Sequence, residues 1–188
     1  RQAMKEATKK TPQWVHFGAG NIFRAFPAAL QQKLLNEGIE KTGIIVAEGY
    51  DYEIIKKAYR PQDDLSLLVT LKANGTIEKT VIGSLAESLT VDRHDADDWG
   101  RLKEIFARDT LQMVSFTITE KGYSITSPDG AFRADVKADF EAGPENADSY
   151  IGKLAALCYW RYTNGAAPLA LVSMDNCSHN GDKLFAAV

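Results

Sequence analysis

The stretch Phe17-Gly18-Ala19-Gly20-Asn21 has the residue types for gripping a phosphate. An apolar run, Trp14–Phe17, leads into it, and a helical pattern begins at Asn21. Where a strand turns into a helix, free amides and the helix dipole together form an anion site. Gly18 permits the tight turn, and Gly20 lets a diphosphate come close to the backbone. A full GxGxxG pattern would place a third glycine at position 23, where this chain carries Phe23. The pattern is therefore incomplete, and an ordinary glycine turn is the plain alternative. The candidates to surround a bound diphosphate are Phe17, Gly18, Ala19, Gly20, Asn21, Ile22 and Phe23. Arg24, one turn into the helix, is placed to reach a phosphate or to stand as a surface arginine.

Glu48 adds to this. It closes the second apolar run, Gly43–Glu48, downstream of Gly20. An acid at that point can accept from both ribose hydroxyls of an adenosine, and it would repel a 2′-phosphate. The expected ligand is NAD rather than NADP, although Lys56, Lys57 and Arg60 lie nearby. A solvated loop acid is the alternative reading for Glu48. His16 points from the strand beside the turn, and a lone strand histidine is more often a satisfied core residue than a catalyst. Cys158, Cys177 and His179 lack the spacing of a structural zinc site, so no metal is expected.

These residues need elements to hold them. Ile22, Phe23, Phe26, Ala29, Leu30 and Leu34 recur at helical spacing, with Pro27 loosening the first turns. Phe17, Phe23, Phe26 and Trp99 read as core. Asp51 can cap a helix running to about Tyr59. The first sixty residues thus read strand, glycine turn, helix, strand, helix, a βαβ unit. Leu65–Lys72 and Thr76–Ile82 flank Asn74-Gly75, a hairpin signal in which both central residues would take positive φ. That antiparallel pair should decorate or extend the main sheet. Asp95–Arg108 predicts an amphipathic helix, Met113–Thr119 a core strand, residues 124–148 a turn-rich excursion, Ile151–Tyr162 a helix and Leu169–Ser173 a last strand. The expected fold is α/β: a Rossmann-like, doubly wound, mostly parallel sheet with an antiparallel hairpin insertion, in one domain over residues 1–188.

Composition bounds the partners. The chain has 22 basic and 25 acidic residues with no Lys/Arg block, so a nucleic-acid partner has no electrostatic footprint. No apolar run reaches the ~20 residues that span a bilayer, so no membrane is expected. Two cysteines make no disulfide framework and suit a reducing, cytoplasmic setting. The chain begins at Arg1 and ends within a helical pattern, which fits a fragment of something longer.

Two further segments follow the last two strands: Thr117-Ile-Thr119-Glu120-Lys121-Gly122-Tyr123, and Ser173-Met174-Asp175-Asn176-Cys177-Ser178-His179-Asn180-Gly181. With His16–Arg24 they resemble, in order, the fingerprints of the long-chain mannitol dehydrogenase family of polyol and sugar-acid oxidoreductases. Met174 departs from that pattern, where cysteine is usual, and Asn21-Ile22-Phe23 falls in a variable part. The resemblance covers residues 14 to 185. It implies a metal-independent enzyme with an N-terminal Rossmann domain that binds NAD. A helical C-terminal domain would carry a Lys-x-x-x-x-Asn-x-x-His motif with the general base. No such motif occurs among these residues, so the chain would hold the cofactor half of the site, with its own C-terminal domain as partner.

The implied chemistry is hydride transfer between nicotinamide and a secondary alcohol, the protein fixing geometry and polarising the oxygen. Asn176 matches the asparagine of the family's Asp-Asn pair and is the candidate catalytic donor to that oxygen. An Asx turn or helix cap formed by Asp175, Asn176 or Ser178 is the structural alternative. Thr119, Glu120 and Lys121 would border the cofactor, with Lys121 not the base. Gly122 would relieve crowding beside Tyr123. Within the family, Ala47–Asp51 and Leu67–Leu71 point towards the mannonate–fructuronate branch ahead of mannitol–fructose. The competing readings are an S-adenosylmethionine-dependent methyltransferase, whose aromatic-proline motif is missing, and a non-catalytic nucleotide-binding module.

Overall fold

The computed structural model covers residues 1–188. Helix α1 (Gln2–Lys10) precedes strand β1 (Trp14–Phe17). The glycine turn leads into α2 (Asn21–Ala25) and α3 (Pro27–Asn36). The break falls at Phe26, where Pro27 starts the second helix at its first position, the place a helix tolerates proline. Strand β2 (Ile44–Glu48) is buried at every residue, as a central parallel strand covered on both faces must be. After it come the short α4 (Tyr52–Ile54), a wider π-type turn over Ile55–Tyr59 and a 3₁₀ turn over Arg60–Gln62. Strands β3 (Ser66–Leu71) and β4 (Ile77–Ile82) form the hairpin, and β5 (Leu85–Thr90) follows. Helix α5 (Ala96–Phe106) is capped by the Asp95 carboxylate on the Asp98 amide. Then come β6 (Met113–Phe116), α6 (Ala134–Ala142), α7 (Tyr150–Thr163, capped by Ser149), β7 (Ala170–Ser173) and α8 (Asn180–Ala187).

The main sheet has the order β5-β2-β1-β6-β7, with every pairing parallel. The strand order reverses at β1, so the crevice between the carboxyl ends of β1 and β6 is the switch point at which open α/β sheets bind ligands. Alternate residues of β1 and β2 feed two cores. Val15, Phe17, Ile45 and Ala47 pack with Leu102, Ile105, Phe106 and Leu154 of α5 and α7 on one face. Ile44 and Val46 pack with Phe23, Ala28, Ile55 and Tyr59 on the other. The sheet is thus wound on both sides, as expected. Arg161 fastens α7 to the strand entries, donating to the carbonyls of Phe106, Arg108, Leu111, Ala167 and Pro168. No helix is long and apolar enough to cross a membrane.

Several local expectations need correction. The hairpin forms as expected, and of the two placements open to it, it decorates the main sheet as a separate two-stranded sheet rather than extending it. Only Gly75 takes positive φ (81°) at its turn. Gly75 N–H bonds the Lys72 carbonyl and Lys72 N–H bonds that of Thr76, so the loop is longer than a two-residue turn. Asp51 makes no capping bond, and the helix it precedes widens instead of running regularly to Tyr59. Phe26 is exposed, not core: with Ile22 and Leu30, at four-residue spacing, it lies on the outer face of the helix. The 124–148 excursion contains α6. Helix α1 and edge strand β5 also emerge without having been expected.

Candidate active site at the strand carboxyl ends

The glycine turn is held from three sides. Gly18, at φ 111°, passes so close over the exit of β6 that a Cβ there would lie 2.4 Å from the Thr117 carbonyl oxygen. The Ala19 amide donates to Glu48 Oε2 at 2.7 Å, and the Ala19 carbonyl accepts from the Tyr59 hydroxyl at 2.7 Å. Burial pushes the Tyr59 phenol up, which keeps it a donor. The four amides that follow, on Gly20, Asn21, Ile22 and Phe23, donate to no protein acceptor. Gly20 has nothing within 4 Å of where its Cβ would stand. This open row of amides, on a turn fixed from behind, fits a diphosphate.

Glu48 is nearly buried, and its carboxylate accepts three amides: Ala19 on one oxygen, and Tyr50 (2.8 Å) and Asp51 (3.3 Å) on the other. A carboxylate offers about four acceptor positions, so about one remains. Arg24 is used inside its own turn, bonding the Asn21 side chain and lying 5.8 Å over the Tyr59 ring.

Beneath the turn lies a polar column. Trp14 Nε1 donates to Ser115 Oγ at 2.7 Å. His16 Nδ1 meets the same oxygen at 2.7 Å, and His16 Nε2 meets Thr117 Oγ1 at 2.9 Å. The His16 ring stacks on Phe23 at 4.2 Å. Burial lowers the His16 pKa to about 3, so the imidazole is neutral. With Trp14 as a fixed donor, the consistent pattern has Ser115 donating to Nδ1 and Nε2–H donating to Thr117. His16 is thus a satisfied core histidine, as the sequence implied.

At the exits of β6 and β7 the two remaining motifs are joined by one side chain. The Asp175 carboxylate accepts the amides of Ile118 (2.9 Å) and Thr119 (3.0 Å) and the Tyr123 hydroxyl (2.5 Å). Tyr123 also meets Ser173 Oγ at 2.7 Å. Burial, then the bond to Asp175, push the Tyr123 phenol up. Thr119 adopts φ 65°, ψ 161°, a region unfavourable for a residue with a Cβ, and the Asp175 bond to its amide holds it there. Gly122 relieves crowding, against Ile118 rather than Tyr123: a Cβ would lie 2.8 Å from Ile118 Cγ1. Glu120 pairs with Lys183 at 2.5 Å, and Lys121 is exposed. Asn176 is exposed at the end of β7 with no side-chain bond, so the Asx turn or cap weighed for it does not form.

The structure therefore gathers Gly18, Ala19, Gly20, Asn21 and Glu48 around one turn. Thr119 and Asn176 lie on adjoining strand exits tied by Asp175. Phe17 and Phe23 sit buried behind the turn and act through packing. Tyr59 and Asp175 act as positioning residues that the sequence pattern does not single out. Nothing in the sequence marks Tyr59, whereas Asp175 stands beside Asn176 in a motif already singled out.

Residues 12–188 match the family described as the mannitol dehydrogenase Rossmann domain. The chain is 49% identical over 185 residues to a D-mannonate oxidoreductase of Thermotoga maritima, covering 98% of this chain and 34% of that protein. It is 32% identical over 176 residues to a polyol:NADP oxidoreductase of Gluconobacter oxydans, covering 91% and 35% respectively. Among solved structures, a substrate-free D-sorbitol dehydrogenase superposes with a TM-score of 0.78 at 31% identity, over 94% of this chain and 37% of that one. A mannitol 2-dehydrogenase of Pseudomonas fluorescens, solved with NAD and D-mannitol, superposes with a TM-score of 0.77 at 28% identity, over 93% and 36%. The chain spans about a third of the length of the curated relatives it matches. The parallel sheet, the glycine turn at its switch point and the ordered motifs agree with these likenesses, and the chain belongs to the mannitol dehydrogenase family, whose Rossmann domain it contains.

Proposed function

We propose that residues 1–188 form the NAD-binding domain of a dehydrogenase acting on a polyol or sugar acid, with D-mannonate and D-fructuronate as the preferred pair. The observation that carries this reading is the row of four unclaimed amides at Gly20–Phe23, on a turn clamped by Glu48 and Tyr59. The amides of Gly20, Asn21 and Ile22 would hold the diphosphate, and the remaining acceptor position on Glu48 would take one ribose hydroxyl. NAD supplies the hydride acceptor when bound. Asn176, with an unclaimed amide group at the carboxyl end of β7, would donate to the reacting substrate oxygen. Thr119, Glu120 and Lys121 would border the nicotinamide end. The mannonate branch is favoured by the 49% identity to a D-mannonate oxidoreductase. The lysine that the family resemblance assigns as base lies in a motif these residues do not contain, so the chain alone would bind the dinucleotide without turnover.

Thermal shift of the purified chain with NADH, NADPH and S-adenosylmethionine tests the proposal. NADH is expected to raise the melting temperature most. Stabilisation by S-adenosylmethionine alone would overturn the reading in favour of a methyltransferase. NADH formation from D-mannonate and NAD by these residues alone would contradict the division of labour.

A further inference from the structure

The β3–β4 hairpin stands outside the dinucleotide site. Its register pairs Leu67 with Val81, Val69 with Lys79 and Leu71 with Ile77, and at its turn the Lys72 amide bonds the Thr76 carbonyl. Hydrogen-bonded pairs alternate along an antiparallel ladder. Counting back from Lys72, the backbone groups of Thr70, Leu68 and Ser66 therefore point at β4, and those of Leu71, Val69 and Leu67 point outward. The outward amides and carbonyls bond nothing else in the chain.

The two edges of the hairpin are unlike. Strand β4 carries Glu78 and Lys79, the kind of charge that keeps an edge strand from pairing with another chain. Strand β3 has no charge, proline or bulge from Ser66 to Leu71, and an uncharged segment of high β-propensity at an edge pairs readily. A cavity of about 330 Å³ lies between Leu65–Leu68 and Asn21, Arg24 and Ala25, so α2 leaves room at this edge.

Side chains point the same way. Leu67, Val69 and Leu71 share one face with Ile77 and Val81, each between 46% and 75% exposed. Scattered exposed aliphatics are ordinary, whereas five on one face of a hairpin mark an interaction surface. The order Leu67-x-Val69-x-Leu71 also reads the same from either end. Two copies set antiparallel about Val69 would put Val69 beside Val69, and Leu67 beside Leu71 of the second copy on both sides of the axis. Those three positions are the ones with outward backbone groups, so this register makes a hydrogen-bonded pair at each of them. It is self-complementary, as a two-fold interface requires, and no charged residue of either β3 meets another across it.

We infer that the free edge of β3 joins the same edge of a second copy of this chain, making a four-stranded antiparallel sheet across a two-fold axis at Val69. A stable dimer covers about 800 Å² on each partner. Pairing over Leu67–Leu71 covers less, so the dimer is weak and depends on concentration. The inference stands apart from the dinucleotide reading and uses none of its residues.

Analytical ultracentrifugation of the chain from about 1 to about 500 micromolar tests it. The apparent mass is expected to climb from one chain towards two across that range. In the concentrated sample the amides of Leu67, Val69 and Leu71 should exchange with deuterium several-fold more slowly than in the dilute one. Val69→Lys sets two ammonium groups against each other at the axis and should raise the dimer Kd about tenfold, as should Val69→Glu with two carboxylates. An equimolar mixture of the two variants should restore the dimer, because each charge then faces its opposite. Position 69 is exposed, and melting curves matching the wild type would separate these effects from misfolding. A chain that stays monomeric up to the highest concentration would overturn the inference and leave the edge to some other segment. A dimer indifferent to both variants, or one that the mixture fails to restore, would place the contact on another face and overturn it equally.

Discussion

Replacing Glu48 is the sharpest test of how the turn is held. Its carboxylate accepts the Ala19, Tyr50 and Asp51 amides, and bonds to a charged acceptor are worth about 1.5–3 kcal/mol each. The three are not additive, because one group makes them all and the Tyr50 and Asp51 amides lie near solvent. The Ala19 amide is buried and finds no substitute partner. Glu48→Ala should therefore cost about 2–4 kcal/mol, mostly from that one orphaned donor. For a chain of this size each kcal/mol moves the melting temperature about 2–4 °C, so the midpoint should fall by about 5–15 °C. Calorimetry or circular dichroism reads this directly. NADH affinity should fall at least about tenfold, because the amides beyond Ala19 lose their fixed direction. A ribose contact from the fourth acceptor position adds a second signature: NADH loses more affinity than NADPH does. An unchanged melting temperature in Glu48→Ala would refute the clamp.

Three other perturbations separate the parts of the site. Gly18→Ala combines positive φ with a 2.4 Å clash against backbone and should destabilise by at least about 3 kcal/mol, whereas Gly20→Ala, in open space at φ −74°, should fold normally and lose NADH affinity; comparable melting temperatures would contradict this. His16 has a folded pKa of about 3 against 6.5 in the unfolded chain, so the unfolded state binds the extra proton. The His16 contribution is complete above pH 6.5 and is lost as pH falls towards 3, at about 1.4 kcal/mol per unit. Urea midpoints between pH 7 and pH 5 should drop by the equivalent of about 2 kcal/mol, and His16→Phe should remove that slope. Asp175→Asn should release Thr119 from its strained conformation and weaken NADH binding, while Asn176→Ala leaves NADH binding and melting temperature unchanged; titration and thermal melts of both variants check the contrast, and equal effects would refute it.

How much of this was legible in sequence depended on how locally each feature is encoded. Strand β2 is a run of β-branched residues because both its faces are covered, and such a run announces itself. Strand β5 pairs on one side only, and it carries Glu87, which binds the largely covered Arg101, together with the buried Ser88 and Thr90, so Leu85–Thr90 shows no unbroken apolar run. Helix α6 is short and acidic, and its turn-forming neighbours mask it. Pro27 told of a disturbed helix but not of a clean break that turns Phe26 outward. Glu48 was found through its position at a strand end, yet its partners are amides up to 29 residues away, and the chain carries no mark of which donors a carboxylate will meet. The same holds for Tyr59, whose hydroxyl reaches a carbonyl 40 residues back.

Glu48 and Asp175 share one construction. Because all five strands run parallel, their exits crowd together at one rim, and each exit leaves backbone donors that no neighbouring strand satisfies. Glu48, from β2, takes the amide of Ala19 after β1; Asp175, from β7, takes those of Ile118 and Thr119 after β6. Each carboxylate thereby satisfies the inner part of a neighbouring loop and leaves the outer part free: Gly20–Ile22 beyond Ala19, and Asn176 beside Asp175 itself. Those free groups lie at the surface, where water can serve them at little cost. A ligand bringing phosphate and hydroxyl oxygens need only replace that water, because the loops are already held in place. The acidic side chains at this rim are consistent with an anionic ligand for that reason: their charge is spent on the backbone behind the site, and the donors in front remain unneutralised.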